Sequence, residues 1–148
     1  MALITFLTVS LAVVSSVYSI TPEEKMKFKE ALKPALDECG AKYGVTLEDI
    51  KKAHESGNDD AIDPCMAGCV YKKIGVINDD GFYVADKSQE DIKNMLSNQD
   101  DIDKLNLVVA ECSKINEESV TDGKEGCQRA KLLNNCFKNH KELFLRSI

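Results

Sequence analysis

The chain has no tryptophan, only two histidines and three prolines, and draws just 6% of its 148 residues from the aromatics. It also has no Cys-x-x-Cys pair, and His54 and His140 stand apart, so the spacing that assembles a zinc centre is missing. Gly-x-Ser-x-Gly, His-Glu-x-x-His and P-loop motifs are absent as well. That removes the commoner hydrolase, metalloprotease and nucleotide-binding chemistries. A secreted phospholipase A2 would need a His beside an Asp on a helix and a glycine-rich calcium loop, and neither histidine has that setting. Positive charge is short: 19 Lys and Arg against 25 Asp and Glu give a net charge of −6 and a pI near 5.0. A nucleic acid or an anionic membrane is therefore a poor partner, and no stable membrane association is expected. There is no Asn-x-Ser/Thr sequon, internal repeat or low-complexity linker. No cofactor or metal is expected, and an enzyme is the weaker class of reading.

The first twenty residues carry no charged side chain, run apolar from Ala2 to Val17, and end in Val17-Tyr18-Ser19 with small residues at the usual cleavage positions. This pattern predicts a secretory signal peptide over 1–19 and a mature domain over 20–148. A membrane anchor is the alternative, and the Ser and Thr content of the stretch argues against it. The mature length suits one domain with a true core, secreted and extracellular.

Helix signals follow one another down the mature chain. Thr21-Pro22-Glu23-Glu24 combines an N-cap, a proline at the first helical position and a capping-box glutamate. Phe28, Leu32, Ala35, Leu36, Cys39 and Tyr43 then recur at helical spacing, with Pro34 predicting a kink or a split near Leu32 to Lys33. Thr46 to Asp49 reads as a second capping box, opening a short helix with Leu47, Ile50 and His54 on one face and Gly57 as its stop. Asp63-Pro64 opens a third helix, in which Gly68 implies that another backbone crosses closely, because a glycine there costs about 1 kcal/mol against alanine. Asn78-Asp79-Asp80-Gly81 is a turn. It fails as an EF-hand, since Gly81 at the sixth position would put Val76 first and Lys87 twelfth, where carboxylates are required. Ser88 with Asp91 predicts the cap of a fourth helix carrying Ile92, Met95 and Leu96, and Asn98 to Asp101 separates it from a fifth. That fifth helix carries a continuous stripe of Ile102, Leu105, Val108, Val109, Cys112 and Ile115, and the loop Ser119 to Gly126 leads to a sixth with Cys127, Ala130, Leu132, Leu133, Cys136 and Phe137. The expected class is all-α, with about six helices.

Six cysteines in a secreted chain read as three disulfides, with 15 possible connectivities. Cys65 and Cys69 leave one helix in nearly parallel directions, about 40° apart, which excludes a bond between them. Cys136 lies nine positions after Cys127, a rotation of about 900° that puts the sulfurs on opposite sides of the sixth helix and disfavours their pairing. The sixth helix must therefore be bonded to two different neighbours, and the third is tied to two other segments if Cys65 and Cys69 each find a partner.

The order of gaps, with 25 residues between Cys39 and Cys65, three to Cys69, 42 to Cys112, 14 to Cys127 and eight to Cys136, resembles that of the insect odorant-binding proteins, the pheromone and general odorant-binding group. The three- and eight-residue gaps are the most diagnostic, and the resemblance covers the whole mature chain. It implies three interlocked bonds, Cys39–Cys69, Cys65–Cys127 and Cys112–Cys136, with the helices enclosing an apolar cavity. Pro34 departs from the family pattern.

The resemblance further implies a carrier of small hydrophobic ligands, odorants or pheromones, in an extracellular fluid such as sensillar lymph, as monomer or homodimer and with an odorant receptor complex as a possible partner. The same framework also suits a non-olfactory carrier in saliva, gland, gut or reproductive fluid. A saposin-like lipid module is a rival, but its cysteines come in close pairs at both ends of the chain. Candidate wall residues are Leu36 on the first helix, Ile74 after the third, Phe82, Tyr83 and Val84 in the link, and Met95 and Leu96 on the fourth. Leu105 and Val109 on the fifth and Leu133 and Phe137 on the sixth complete the set. Tyr83 is the candidate polar anchor. Few aromatics and no tryptophan make the wall mainly aliphatic, suited to alcohols, esters, aldehydes or fatty acids of medium length. Leu143, Phe144 and Leu145 in the C-terminal tail are expected to be covered, either by folding back over the cavity mouth or by continuing the sixth helix and packing on its neighbours, because each Å² of apolar surface left in water costs roughly 25 cal/mol. His140, at the base of the tail, is expected to be solvent-exposed, and by gaining charge on acidification would loosen such a lid.

Overall fold

In the computed structural model, which describes residues 20–140, the sequence signals become six α-helices: α1 Pro22–Tyr43, α2 Leu47–Glu55, α3 Pro64–Lys73, α4 Ala85–Met95, α5 Gln99–Cys112 and α6 Cys127–Asn139. Short 3₁₀ turns occupy Asp59–Ala61, Ser113–Glu117 and Gly123–Glu125. No strand occurs among the described residues; a single antiparallel bridge joins Ile77 to Tyr83. Both capping boxes form. The Thr21 hydroxyl accepts from the Glu24 N–H while the Glu24 carboxylate accepts from the Thr21 N–H, and Thr46 and Asp49 repeat the exchange. These contacts satisfy N–H groups that a helix start leaves unpaired.

Disulfides join Cys39 to Cys69, Cys65 to Cys127 and Cys112 to Cys136. The third helix is thus tied to α1 and α6, and α6 to α3 and α5; on α6 the two sulfurs leave opposite sides, while on α3 Cys65 and Cys69 leave adjacent turns of one face. α3 packs on α6 and on α1, while α4 packs on α5. Gly68 marks the closest approach: a Cβ placed on it would lie 3.1 Å from the Gly126 carbonyl oxygen. The backbone crossing expected from that glycine is the α3–α6 contact, beside the Cys65–Cys127 bond.

Some local expectations are corrected. α1 runs through Pro34 without splitting, because the flanking turns supply enough intrahelical bonds and the Cys39 end is anchored by its disulfide. α4 starts three residues before the expected cap: Val84 is its N-cap and Ser88 is buried inside the helix. The chain is already fixed there, since the Val84 N–H donates to the Val76 carbonyl at 2.8 Å, so helix geometry begins directly after that bond. Asn98 caps α5, accepting from the N–H groups of Asp100 and Asp101 at 2.9 and 3.2 Å, so the separating segment is 96–98 and not Asn98 to Asp101, and the helix begins at Gln99. Phe28 and Leu47 fall outside the core, each about half exposed. α1 buries only the Ala35–Cys39 side of its stripe, against α3.

Candidate functional site

Two apolar clusters result. One lies between α1 and α3 and holds Ala35, Cys39, Met66 and Val70, with Leu36 packed on it. The other joins α5, α6 and the 76–85 link through Val76, Tyr83, Val108, Val109, Cys112, Ile115 and Leu133, with Phe137 against it. Ile74, just after α3, touches both. Of the candidate wall residues, Ile74, Tyr83, Val109, Leu133 and Phe137 therefore converge. The other described ones do not join them. Leu36 belongs to the α1–α3 cluster; Val84, Met95 and Leu96 are half-buried, and Leu105 is buried, outside both clusters. Phe82 is exposed by 46%, because successive residues of an extended link face opposite ways and Tyr83 takes the inner side. Its ring is covered by the Arg129 guanidinium, 5.6 Å from the centroid. Leu143, Phe144 and Leu145 lie outside the described residues, as does the expected signal peptide over 1–19.

Tyr83 is the best-fixed residue of the cluster. The Asn116 side chain brackets its backbone, with Oδ1 accepting from the Tyr83 N–H at 2.9 Å and Nδ2 donating to the Tyr83 carbonyl at 2.8 Å. On either side, the Asn78 N–H donates to the Phe82 carbonyl, and Val84 bonds Val76. The turn below is held by Asn78 Oδ1, which accepts from Asp80 and Phe82. The phenol ring meets Phe137 edge to face, centroids 6.4 Å apart. That geometry suits the aromatic quadrupole. The ring carries a hydroxyl into this apolar setting with no protein hydrogen-bond partner. Burial raises its pKa, and the side chain of the nearby buried Ser88 opposes the rise. Tyr71, packed on the same cluster, also has its pKa raised by burial, but its hydroxyl donates to Asn134.

Three residues make tertiary contacts that gave no signal in sequence. Asn116 is one. Arg129 is another: 3% exposed, it donates to the carbonyls of Gly81, Ile115 and Glu118, tying the turn, the 3₁₀ segment and its following loop to α6. The third is Glu24, whose Oε1 accepts from the Ser97 N–H at 2.8 Å while Oε2 serves Thr21. Only its capping half was readable, because Ser97 is 73 residues away. His140 is partly covered, not solvent-exposed as expected, and its Nε2 lies 3.3 Å from Glu111 Oε2. Its ring nitrogen also lies near Cys112 and Cys136, but both sulfurs are consumed by their bond and offer no thiolate to a metal.

Two open depressions lie elsewhere. One of about 870 Å³ runs between the end of α1, α2 and the Asp59–Ala61 turn, lined by Val45, Lys52, Ala53 and Ile62 among others, and contains none of the candidate residues. The other, about 400 Å³, lies beside Pro34 and includes Ile74.

No described helix is long and apolar enough to cross a membrane. Comparison with curated proteins and with solved structures gave no significant match. The sequence model of the PBP/GOBP family matches residues 21–140, spanning all six helices and every cysteine. Together with the three interlocked disulfides, this match places the chain in the PBP/GOBP family, the group of small hydrophobic-ligand carriers that its cysteine spacing resembles.

Proposed function

We propose that this protein is a secreted carrier that binds and solubilises small hydrophobic ligands, odorants, pheromones or related semiochemicals, in an extracellular fluid, and has no catalytic role. The family match over 21–140 carries the reading. It is supported by the disulfide framework, since cross-links restrict the unfolded ensemble and let helices stand around a space that packing alone would tend to collapse. The ligand lies against the Tyr83, Val109, Leu133 and Phe137 cluster, where α5 and α6 are clamped by Cys112–Cys136. A leader over 1–19 directs the chain outside, where those bonds form. The test is displacement of the fluorescent probe N-phenyl-1-naphthylamine by a panel of medium-chain apolar compounds. Saturable binding with every compound recovered unchanged is the expected outcome; no saturable binding of the probe or of any compound refutes the carrier.

A further inference from the structure

We propose that the first half of α1, residues 22–33, is a flap hinged at Pro34 and latched by Glu24 on Ser97, and that the ligand passes behind it, beside Ile74. The passage rests on the carrier reading, and the flap does not.

One face of α1 changes its surroundings at Pro34. Seven residues lead from Phe28 to Ala35 and eleven to Cys39, rotations that bring all three within about 20° of one direction. Yet Ala35 and Cys39 are 5% and 0% exposed, and Phe28 is 52% exposed. Beyond the proline that face packs on α3 and is bonded to it through Cys39–Cys69. Before it, Glu24 is buried, Lys25 and Leu32 are half-buried, and the rest of 22–33 is exposed. Glu24 lies about 40° from Phe28 around the helix, and its Oε1 accepts from the Ser97 N–H at 2.8 Å. The first half of α1 is thus held at its tip by a carboxylate and at its base by the disulfide-bonded half, with little apolar surface buried between.

Pro34 stands at the boundary. It offers no N–H to the Glu30 carbonyl and its ring crowds that turn, so the helix is weakest where its two halves meet. Proline also suits the first turn of a helix, so the half that stays in place keeps a good start when the other half lifts. A twelve-residue segment released from its latch is too short to stay helical by itself in water. The depression of about 400 Å³ at the hinge is lined by Ala31, Pro34 and Ala35 of α1 and by Ile74, which touches both apolar clusters. Glu38 and Lys73, paired at 2.6 Å, form its other wall and belong to the two disulfide-bonded helices, so that wall stays fixed. Lifting the flap widens the depression at its Ala31 edge and opens a path past Ile74 to the α5–α6 cluster.

Two measurements on the oxidised secreted chain test this, in wild type, Glu24→Gln and Pro34→Ala. Amide hydrogen exchange in low urea should show residues 26–33 exchanging at least about 100-fold faster than 39–42 and with little urea dependence, the mark of a local opening. Glu24→Gln should speed exchange of 26–33 about 30-fold, the loss of one hydrogen bond to a charged group, and Pro34→Ala should slow it. A door changes rates and leaves affinity alone. Stopped-flow binding of N-phenyl-1-naphthylamine should therefore show association and dissociation rising together by about 30-fold in Glu24→Gln, with Kd unchanged, and falling together in Pro34→Ala. Exchange of 26–33 at the rate and urea dependence of 39–42 overturns the flap. A fast-exchanging flap with binding rates equal in all three proteins, or a change confined to one of the two rates, overturns the passage with the carrier reading intact. Failure of the probe to bind any of the three overturns the carrier reading and the passage with it, while exchange still decides the flap.

Discussion

Replacing Glu24 by glutamine tests how the start of the first helix is joined to the far end of the fourth. The carboxylate uses both oxygens: Oε2 accepts from the Thr21 N–H at 2.9 Å and from the Thr21 hydroxyl at 3.0 Å, and Oε1 accepts from the Ser97 N–H at 2.8 Å. Glutamine retains one acceptor oxygen. It can serve Thr21 or Ser97 but not both, and its amide NH₂ then faces an N–H donor. A hydrogen bond to a charged group contributes about 1.5–3 kcal/mol. Because Ser97 is exposed and its freed N–H can turn to water, the loss should fall near the lower end, about 2 kcal/mol. For a domain of this size that is a fall in Tm of roughly 8 °C. Thr21→Ala removes only the hydroxyl and should cost about 1 kcal/mol, and the double variant should be less than additive because the two side chains share the interaction. The pH dependence has a defined sign. The Thr21 backbone N–H, aided by Ser97 and opposed by burial, lowers the Glu24 pKa below its ordinary 4.5. The stabilisation is then complete above that value and is lost as the pH falls through the lowered pKa. Urea denaturation of wild type and Glu24→Gln, at pH 7 and on stepwise acidification, should show a gap that closes only in acid. A variant as stable as wild type at pH 7, or a deficit that persists unchanged in strong acid, refutes this account.

Two further perturbations address the α3–α6 side. Arg129→Met leaves the carbonyls of Gly81, Ile115 and Glu118 without their donor and should cost about 3 kcal/mol, while Arg129→Lys recovers only part, since one ammonium cannot reproduce the fork; urea midpoints distinguish these outcomes from a harmless substitution. Gly68→Ala should destabilise by about 1 kcal/mol despite the similar gain in helix propensity, because its Cβ would stand 3.1 Å from a carbonyl that cannot retreat while Cys127 next to it is bonded to Cys65. A rise in melting temperature for Gly68→Ala would show that this contact has slack.

Local signals in the sequence determined the elements. Thr21-Pro22 and Thr46 state where helices begin, glycines where they stop, and the 3.6-residue stripe of Ile102 to Ile115 which face turns inward, because all of these act within one or two turns of chain. The cysteine directions, side by side on α3 and opposed on α6, argued against a bond within either helix, since helix geometry alone fixes those angles, and Gly68 marked their crossing because only a missing Cβ admits a backbone so near. Which apolar residues meet was not legible from periodicity. Phe28, Leu47 and Phe82 have the composition of core residues and lie at the surface, while Ile74 bridges two clusters, because a stripe names a face and only packing says how much of it a neighbour covers. Long-range polar contacts were decided by the tertiary structure alone. Asn116 bracketing Tyr83, Glu24 reaching Ser97 and Arg129 binding three carbonyls each join segments distant in sequence, and a polar side chain gives no sign along the chain of the donor or acceptor that the fold will bring to it.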